Sequence, residues 1–274
     1  MVRPLDEQTI LITGATDGLG RGLAGALARE GPTLLLHGRD QARLEQAREQ
    51  TGEQVLGTYR ADFASLADVR AMATDVLADH ERLDALVNNA GIGTTLPGDG
   101  ARMESADGYE LRFQVNYLAG FLLTRLLAPL LLGSAPARIV NVSSAGQMPL
   151  DFDDLMLEHG YDPTRAYCQS KLAQVMFTLD LAEEFRARGV TANCLHPATY
   201  MPTTSVFHAR GSAVSTLEDG VRATARLVTE AALDSVSGRY FNGVREARAD
   251  RQAYDEDARL RLREASERLA GLTS

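Results

Sequence analysis

Tyr167 and Lys171 stand four positions apart in Tyr167-Cys168-Gln169-Ser170-Lys171. On a helix that spacing puts both side chains on one face, one turn apart. A phenol with an ordinary pKa near 10 is a poor proton shuttle at neutral pH. A cation held beside it favours the phenolate and brings the group toward a useful range. Lysine suits the task, because its ammonium is a compact point charge that can also hydrogen-bond hydroxyls, whereas a guanidinium is broad and forked. Lys171 is the only lysine in the chain, and the other 27 of its 28 basic residues are arginine. Where arginine fills every generic basic role, one lysine points to work that arginine cannot do.

Other segments offer complementary chemistry. Arg138-Ile139-Val140-Asn141-Val142 ends in Ser143-Ser144, and a hydroxyl at a strand tip can bond a reacting oxygen, although serine there also serves turns. Asn116, in Gln114-Val115-Asn116-Tyr117-Leu118-Ala119-Gly120, is polar within an apolar helical stretch. It either bends that helix or organises a water, or it is a satisfied core amide. Thr13-Gly14-Ala15-Thr16-Asp17-Gly18-Leu19-Gly20 follows an apolar run and opens a helical one. Glycines there permit a tight turn and let backbone N–H groups approach a pyrophosphate at the helix N-terminus. The second strand ends in Leu36-His37-Gly38-Arg39-Asp40. An acid at that tip would bond both ribose hydroxyls of NAD and repel a 2′-phosphate, whereas the fork of Arg39 matches a phosphate. Asp40 reads as a cap of the next helix, and an ordinary surface arginine is the plainer reading of Arg39. Asn88-Asn89-Ala90-Gly91 leaves room for a cofactor or is a simple turn. Asp62 either accepts from an adenine amino group or caps a helix.

The elements that must position these residues alternate. Apolar strand-like runs at 9–13, 33–37, 54–60, 83–88, 138–143, 191–196 and 239–241 separate helical stretches at 20–29, 41–50, 65–80, 108–132, 164–188 and 217–230. Strands that are apolar on both faces predict a parallel sheet covered by helices on both sides. The expected fold is therefore α/β, a doubly wound, Rossmann-type sheet of about seven strands, with residues 1–274 as one dinucleotide-binding and catalytic domain. The stretches 145–163 and 197–216 break the alternation just beyond strand ends, where ligands sit in such sheets, and read as substrate loops. Met148, Leu150, Phe152, Tyr200 and Phe207 within them point to an apolar substrate. The C-terminal 247–274 reads as a polar, arginine-rich helix with no assignable chemistry.

Composition bounds the partners. The chain has 274 residues, is 45% hydrophobic and carries a formal charge of −9 with both signs mixed throughout, which argues against nucleic acid or an anionic membrane. Phe121–Leu132, interrupted by Arg125 and Pro129, reads as too short to span a bilayer. With no secretory leader in the opening residues and only Cys168 and Cys194, the expectation is a cytoplasmic chain with reduced thiols and no metal centre. The apolar helices at 108–132 and 164–188 are read either as core-facing in a monomer or as pairing surfaces of a homo-oligomer.

Taken together, TGATDGLG, Arg39, NNAG, the Asn116 segment, NVSS and YCQSK occur in the order of the short-chain dehydrogenase/reductase family, over roughly residues 8–243. The phrases Ser105-Ala106-Asp107-Gly108-Tyr109-Glu110, VNYLAGFLLT and AYCQSKLA resemble its retinol-dehydrogenase-like branch. The resemblance implies an NADP(H)-dependent oxidoreductase that moves a hydride between nicotinamide and a carbonyl or alcohol carbon. It implies Tyr167 as proton donor, Lys171 as its tuner and ribose ligand, Ser144 rather than Ser143 on the substrate oxygen, and Asn116 as support for a water leading to Lys171. It also carries cofactor contacts onto Gly14, Thr16, Asp17, Gly18, Leu19, Gly20, Arg39, Asp62, Phe63, Asn89, Ala90, Gly91 and Pro197. Asp17, where NADP-preferring members are often basic, and Ala198, after Pro197 where the family often has glycine, are departures. Coenzyme preference then rests mainly on Arg39. An NAD-preferring dehydrogenase, an epimerase or dehydratase on the same centre, and a nucleotide-sensing protein without turnover stay open.

Overall fold

The computed structural model describes residues 3–95, 100–199, 201 and 214–272. Most of the 197–216 stretch, with Tyr200 and Phe207, lies outside the described residues.

The apolar runs form strands because their residues are buried from both sides. β1 (Thr9–Ile12), β4 (Ala85–Asn88) and β5 (Ala137–Val142) have no exposed position. With β2 (Thr33–Gly38), β3 (Val55–Arg60), β6 (Val190–His196), β7 (Arg239–Asn242) and β8 (Arg245–Ala247) they make one sheet in the order β3-β2-β1-β4-β5-β6-β7-β8. The first seven are parallel to their neighbours and β8 runs antiparallel to β7. The eighth strand corrects the expected seven: Gly243 and Val244 turn the chain back on itself, and a three-residue edge strand has too short a pattern to be read in sequence.

The order reverses between β1 and β4, and helices cover both faces. α1 (Gly18–Ala28), α2 (Gln41–Thr51) and α6 (Leu217–Thr229) share one core with Ile10, Ile12, Leu34 and Val140. On the other face α3 (Leu66–Asp79), α4 (Leu111–Gly133), α5 (Pro163–Glu184) and α7 (Glu256–Leu269) enclose Leu11, Leu86 and Ile139. Side-chain caps start these helices where the sequence turns polar: Asp17, Asp40, Ser65, Asp162 and Asp255 each accept from a first-turn N–H.

α4 corrects the length read from its apolar phrase. It runs for 23 residues, long and apolar enough by length and composition to cross a bilayer, and more than half of its apolar window is buried in the core. A π turn at Gln114–Leu118 interrupts it, the irregularity that the polar Asn116 suggested.

The C-terminal segment contains the expected arginine-rich helix, and it straps across the molecule. Arg259 of α7 donates to Asp180 and Glu183 of α5, and Ser266 bonds the Tyr117 hydroxyl. Gln252 bonds the N–H and the carbonyl of Leu150, and Gln147 accepts from the Asp250 N–H. With the sheet and α4 on its other sides, the strap completes the burial of α5 from Cys168 to Ala182. Part of the α5 surface is thus covered by this chain's own C-terminus.

Candidate active site

The glycine turn is braced by groups far away in sequence. The Thr13 hydroxyl donates to the Val87 carbonyl and accepts from the N–H groups of Asn89 and Ala90. The Asn89 amide donates to the carbonyls of Thr13 and Gly14, and His37 Nδ1 accepts from the Gly14 N–H. Space is tight: a Cβ on Gly14 would lie 2.8 Å from Ala90 Cα, and one on Gly20 would lie 2.2 Å from the Gly14 carbonyl oxygen. TGATDGLG and NNAG are therefore one construction, in which Asn89, Ala90 and Gly91 wall the turn opposite the N-terminus of α1. A backbone cradle of this kind, at the switch of strand order, fits a dinucleotide pyrophosphate.

His37 was not read as functional, yet it organises this end. Its Nε2 faces the Ala61 carbonyl at 3.1 Å and its ring stacks on Phe63, centroids 4.2 Å apart. Burial pulls its pKa down to about 4, so the ring is neutral, with Nε2 donating and Nδ1 accepting. A polar residue directly after the apolar run Leu34-Leu35-Leu36, within the strand, was the available signal. Phe63, expected to touch the cofactor, stacks on His37, and its carbonyl accepts from Gln114 Nε2. Asp62 Oδ1 accepts from the Ala64 N–H, which holds the carboxylate in the turn after β3. Asp40 caps α2 by accepting from the Arg43 N–H, which leaves Arg39 exposed at the tip of β2. Asp17 caps α1, and the Arg43 guanidinium stands 3.7 Å from its carboxylate.

At the carboxyl ends of β4, β5 and β6 opens a cleft of about 540 Å³. Tyr167 and Lys171 reach it from α5, Ser144 from the end of β5, Gly91 from β4 and Pro197 from β6, with Leu19 at the α1 side. Gly14, Thr16, Asp17, Gly18 and Gly20 follow β1, Arg39 follows β2, and Asp62 and Phe63 follow β3, beside that cleft. The two serines part company here. Ser143 Oγ donates to the Lys171 backbone carbonyl, whereas Ser144 Oγ accepts from the Gly146 N–H. A Cβ on Gly146 would stand 3.6 Å from Ser144 Oγ and 3.8 Å from Tyr167 Cε1, so hydroxyl and phenol ring flank the same small space.

Lys171 Nζ lies 5.8 Å from the centre of the Tyr167 ring and donates to the Val142 carbonyl and to Gln174 Oε1. Both ligands are neutral, and burial lowers the ammonium pKa to about 7. Gln174, one helical turn on, was missed in sequence because a glutamine in a helix has many uses. Asn116 sits in the π turn, as a kink residue should. Its amide accepts from the Ile92 N–H and donates to Ile92 O and Ser170 Oγ. It ties the wall after β4 to the residue preceding Lys171. Among the described residues no group of His, Cys, Asp or Glu is arranged to hold a metal ion.

Comparison with known proteins agrees with this geometry. A family model described as short chain dehydrogenase matches residues 8–211. Retinol dehydrogenase 13 of Mus musculus is 38% identical over 288 aligned residues, covering 97% of this chain and 84% of that protein. An uncharacterised protein from Mycobacterium paratuberculosis has a TM-score of 0.77 at 28% identity, over 97% of this chain and 94% of its own. A short chain dehydrogenase from Shigella flexneri complexed with NADP gives 0.70 at 28% identity, over 89% and 99%. A 3-ketoacyl-(acyl-carrier-protein) reductase from Brucella melitensis complexed with NADH gives 0.68 at 25% identity, over 87% and 97%.

Proposed function

The chain belongs to the short-chain dehydrogenase family, on the side of the retinol dehydrogenases, and we propose that it is an NADP(H)-dependent oxidoreductase acting on the carbonyl or alcohol carbon of a fairly apolar small molecule. The observation that carries the reading is the meeting of Ser144, Tyr167 and Lys171 on one cleft that adjoins the glycine cradle. When bound there, the dinucleotide supplies the hydride at nicotinamide C4. The Tyr167 hydroxyl gives a proton to the substrate oxygen in reduction and takes it back in oxidation. Ser144 Oγ donates to the same oxygen and fixes its distance from the phenol. The Lys171 ammonium favours the phenolate form of Tyr167.

Preference for the 2′-phosphate rests on the β2 tip. Arg39 is exposed at that tip, Asp40 is bonded to the first turn of α2, and Arg43 stands beside the Asp17 carboxylate, so two guanidinium groups are within reach of a phosphate there. The apolar substrate follows from Ile92, Val142, Leu19 and Met201 in the cleft lining, in keeping with the alcohol named in the retinol dehydrogenase relatives. The proposal includes a chain that does not use α4 to span a bilayer, since its apolar face is spent on the core. Recovery of the expressed protein without detergent is the check.

Binding and turnover with NADPH and NADH, over a panel of carbonyl compounds, test the function. Wild type is expected to turn over with NADPH, and Tyr167→Phe to bind NADPH unchanged while losing turnover at least a hundredfold. Preference for NADH would make it an NAD-preferring dehydrogenase of the same chemistry. Tight binding without turnover on any compound would support a sensor instead, and failure to bind either nucleotide would refute the proposal.

A further inference from the structure

Arg112 is among the largest fully buried side chains of the protein, although it carries a charge. A guanidinium costs free energy to bury unless every donor finds an acceptor, and here all three nitrogens do. Nε donates to the Gly93 carbonyl at 3.0 Å, Nη2 to the Thr94 carbonyl at 2.6 Å and Nη1 to the Tyr161 hydroxyl at 2.5 Å. Tyr161 in turn donates to Glu110 Oε1 at 3.0 Å, and that buried carboxylate stands 3.6 Å from Arg112 Nη1. The other Glu110 oxygen accepts from the Phe113 N–H and caps α4. Burial, with Glu110 next to it, pushes the Tyr161 phenol up to about 12, so it remains a hydroxyl that both donates and accepts.

The segments joined in this way face each other. Gly93 and Thr94 follow β4 and form one side of the cleft, and Tyr161 immediately precedes α5, whose Thr164 and Tyr167 form the other. A helix cap and a turn would need only Glu110 and neutral donors. A planar fork satisfied by two carbonyls of one wall and a hydroxyl leading to the other sets their separation.

On the oxidoreductase reading, we propose that Arg112, acting through Thr94 and Tyr161, is a positioning residue that fixes the width of the substrate end of the cleft and thereby selects carbonyl compounds by size. Lysine cannot replace it, because one ammonium cannot span three acceptors held in that plane.

The test uses Tyr161→Phe, which removes only the hydroxyl at the joint, beside Arg112→Lys. Hydrogen–deuterium exchange at residues 91–95 is read without substrate. KM and kcat are then measured with NADPH on a carbonyl series from a short aliphatic aldehyde to a bulky aromatic ketone. Both variants are expected to exchange faster at 91–95 by about tenfold. The bulky-to-small ratio of kcat/KM should shift about tenfold, with kcat on the smallest compound and NADPH affinity unchanged. Unchanged exchange at 91–95, an unaltered ratio, or rescue of both by lysine would overturn the proposal. If the wild type turned over no compound, the oxidoreductase reading would fall, while the exchange at 91–95 would still decide whether Arg112 holds the wall.

Discussion

Gly20→Ala should damage cofactor binding more than it damages the fold, and the structure supplies both the size of the effect and its control. The new methyl would lie 2.2 Å from the Gly14 carbonyl oxygen and 2.5 Å from Asn89 Nδ2, both part of the cradle and neither the loose end of a flexible side chain. Ordinary contact is about 3.5–4.0 Å, so the turn or Asn89 must move by more than 1 Å. Overpacking of this kind costs about 1–3 kcal/mol. A displacement that falls on the pyrophosphate cradle weakens NADPH about ten- to hundredfold, at about 1.4 kcal/mol per decade. Gly25 lies on the same helix, and a Cβ there meets nothing within 4 Å. Gly25→Ala should leave NADPH affinity unchanged and add about 0.5–1 kcal/mol of stability through helix propensity. Fluorescence titration with NADPH and urea unfolding of the two variants make the comparison. Equal NADPH affinity in Gly20→Ala and wild type would refute the cradle, and parallel losses in both variants would mean that α1 as a whole is at fault.

Three further outcomes follow from the same bonds. Ser144→Ala should lower kcat/KM by one to two orders of magnitude with little loss of stability, whereas Ser143→Ala, whose hydroxyl is buried on the Lys171 carbonyl, should cost about 1 kcal/mol in denaturant unfolding and leave the transferring oxygen's partner in place; the reverse pattern would exchange the serines' roles. His37 has a folded pKa of about 4 against an unfolded value near 6.5, so the unfolded chain takes up its proton first as pH falls; stability should be lost from pH 6.5 toward 4 at about 1.4 kcal/mol per pH unit, and His37→Asn should flatten that slope in urea titrations. Lys171 behaves in the opposite range, with a folded pKa near 7 below the unfolded value near 10.4; wild type should gain stability between pH 7 and 10 relative to Lys171→Met, which also loses turnover, and identical slopes would mean that the ammonium is not strained by burial.

Local spacing made the catalytic pair and the turn legible. Tyr167 and Lys171 share a helix, so one period of that helix places them together, and the glycines of 14–20 act within a single βα turn. Strand identity was readable because β1, β4 and β5 are mostly apolar and are buried at every position. Contacts that close over long intervals were not readable. Neither His37 on Gly14 and Ala61 nor Arg112 on Tyr161, 49 positions away, leaves any periodic trace. The apolar sides of α5 were ambiguous for a related reason: a second copy of the chain or a distant helix of the same chain would select the same residues. Only the placement of Arg259 against Asp180 and Glu183 shows that α7 is what covers them. Phe63 and Asp62 were placed near the cofactor by motif order alone, and the ring stack and turn bond that hold their side chains could not be read from it.

The single lysine now has a physical account. Its ammonium carries three N–H donors, of which the Val142 carbonyl and Gln174 Oε1 take two, and Lys171 itself lines the cleft. An arginine in this place would hold its charge at any accessible pH and would need acceptors spread across a plane. A lysine ringed by neutral acceptors instead has a charge that its surroundings decide. Burial alone draws its pKa toward neutrality, and any ligand that returns hydrogen bonds to the ammonium pushes it back up. Two ribose hydroxyls at that point would do this, so cofactor binding and the charge beside Tyr167 are thermodynamically linked. NADPH should then bind with net proton uptake near pH 7–8, measurable by calorimetry in buffers of different ionisation enthalpy. Proton uptake that persisted in Lys171→Met would place the linkage elsewhere.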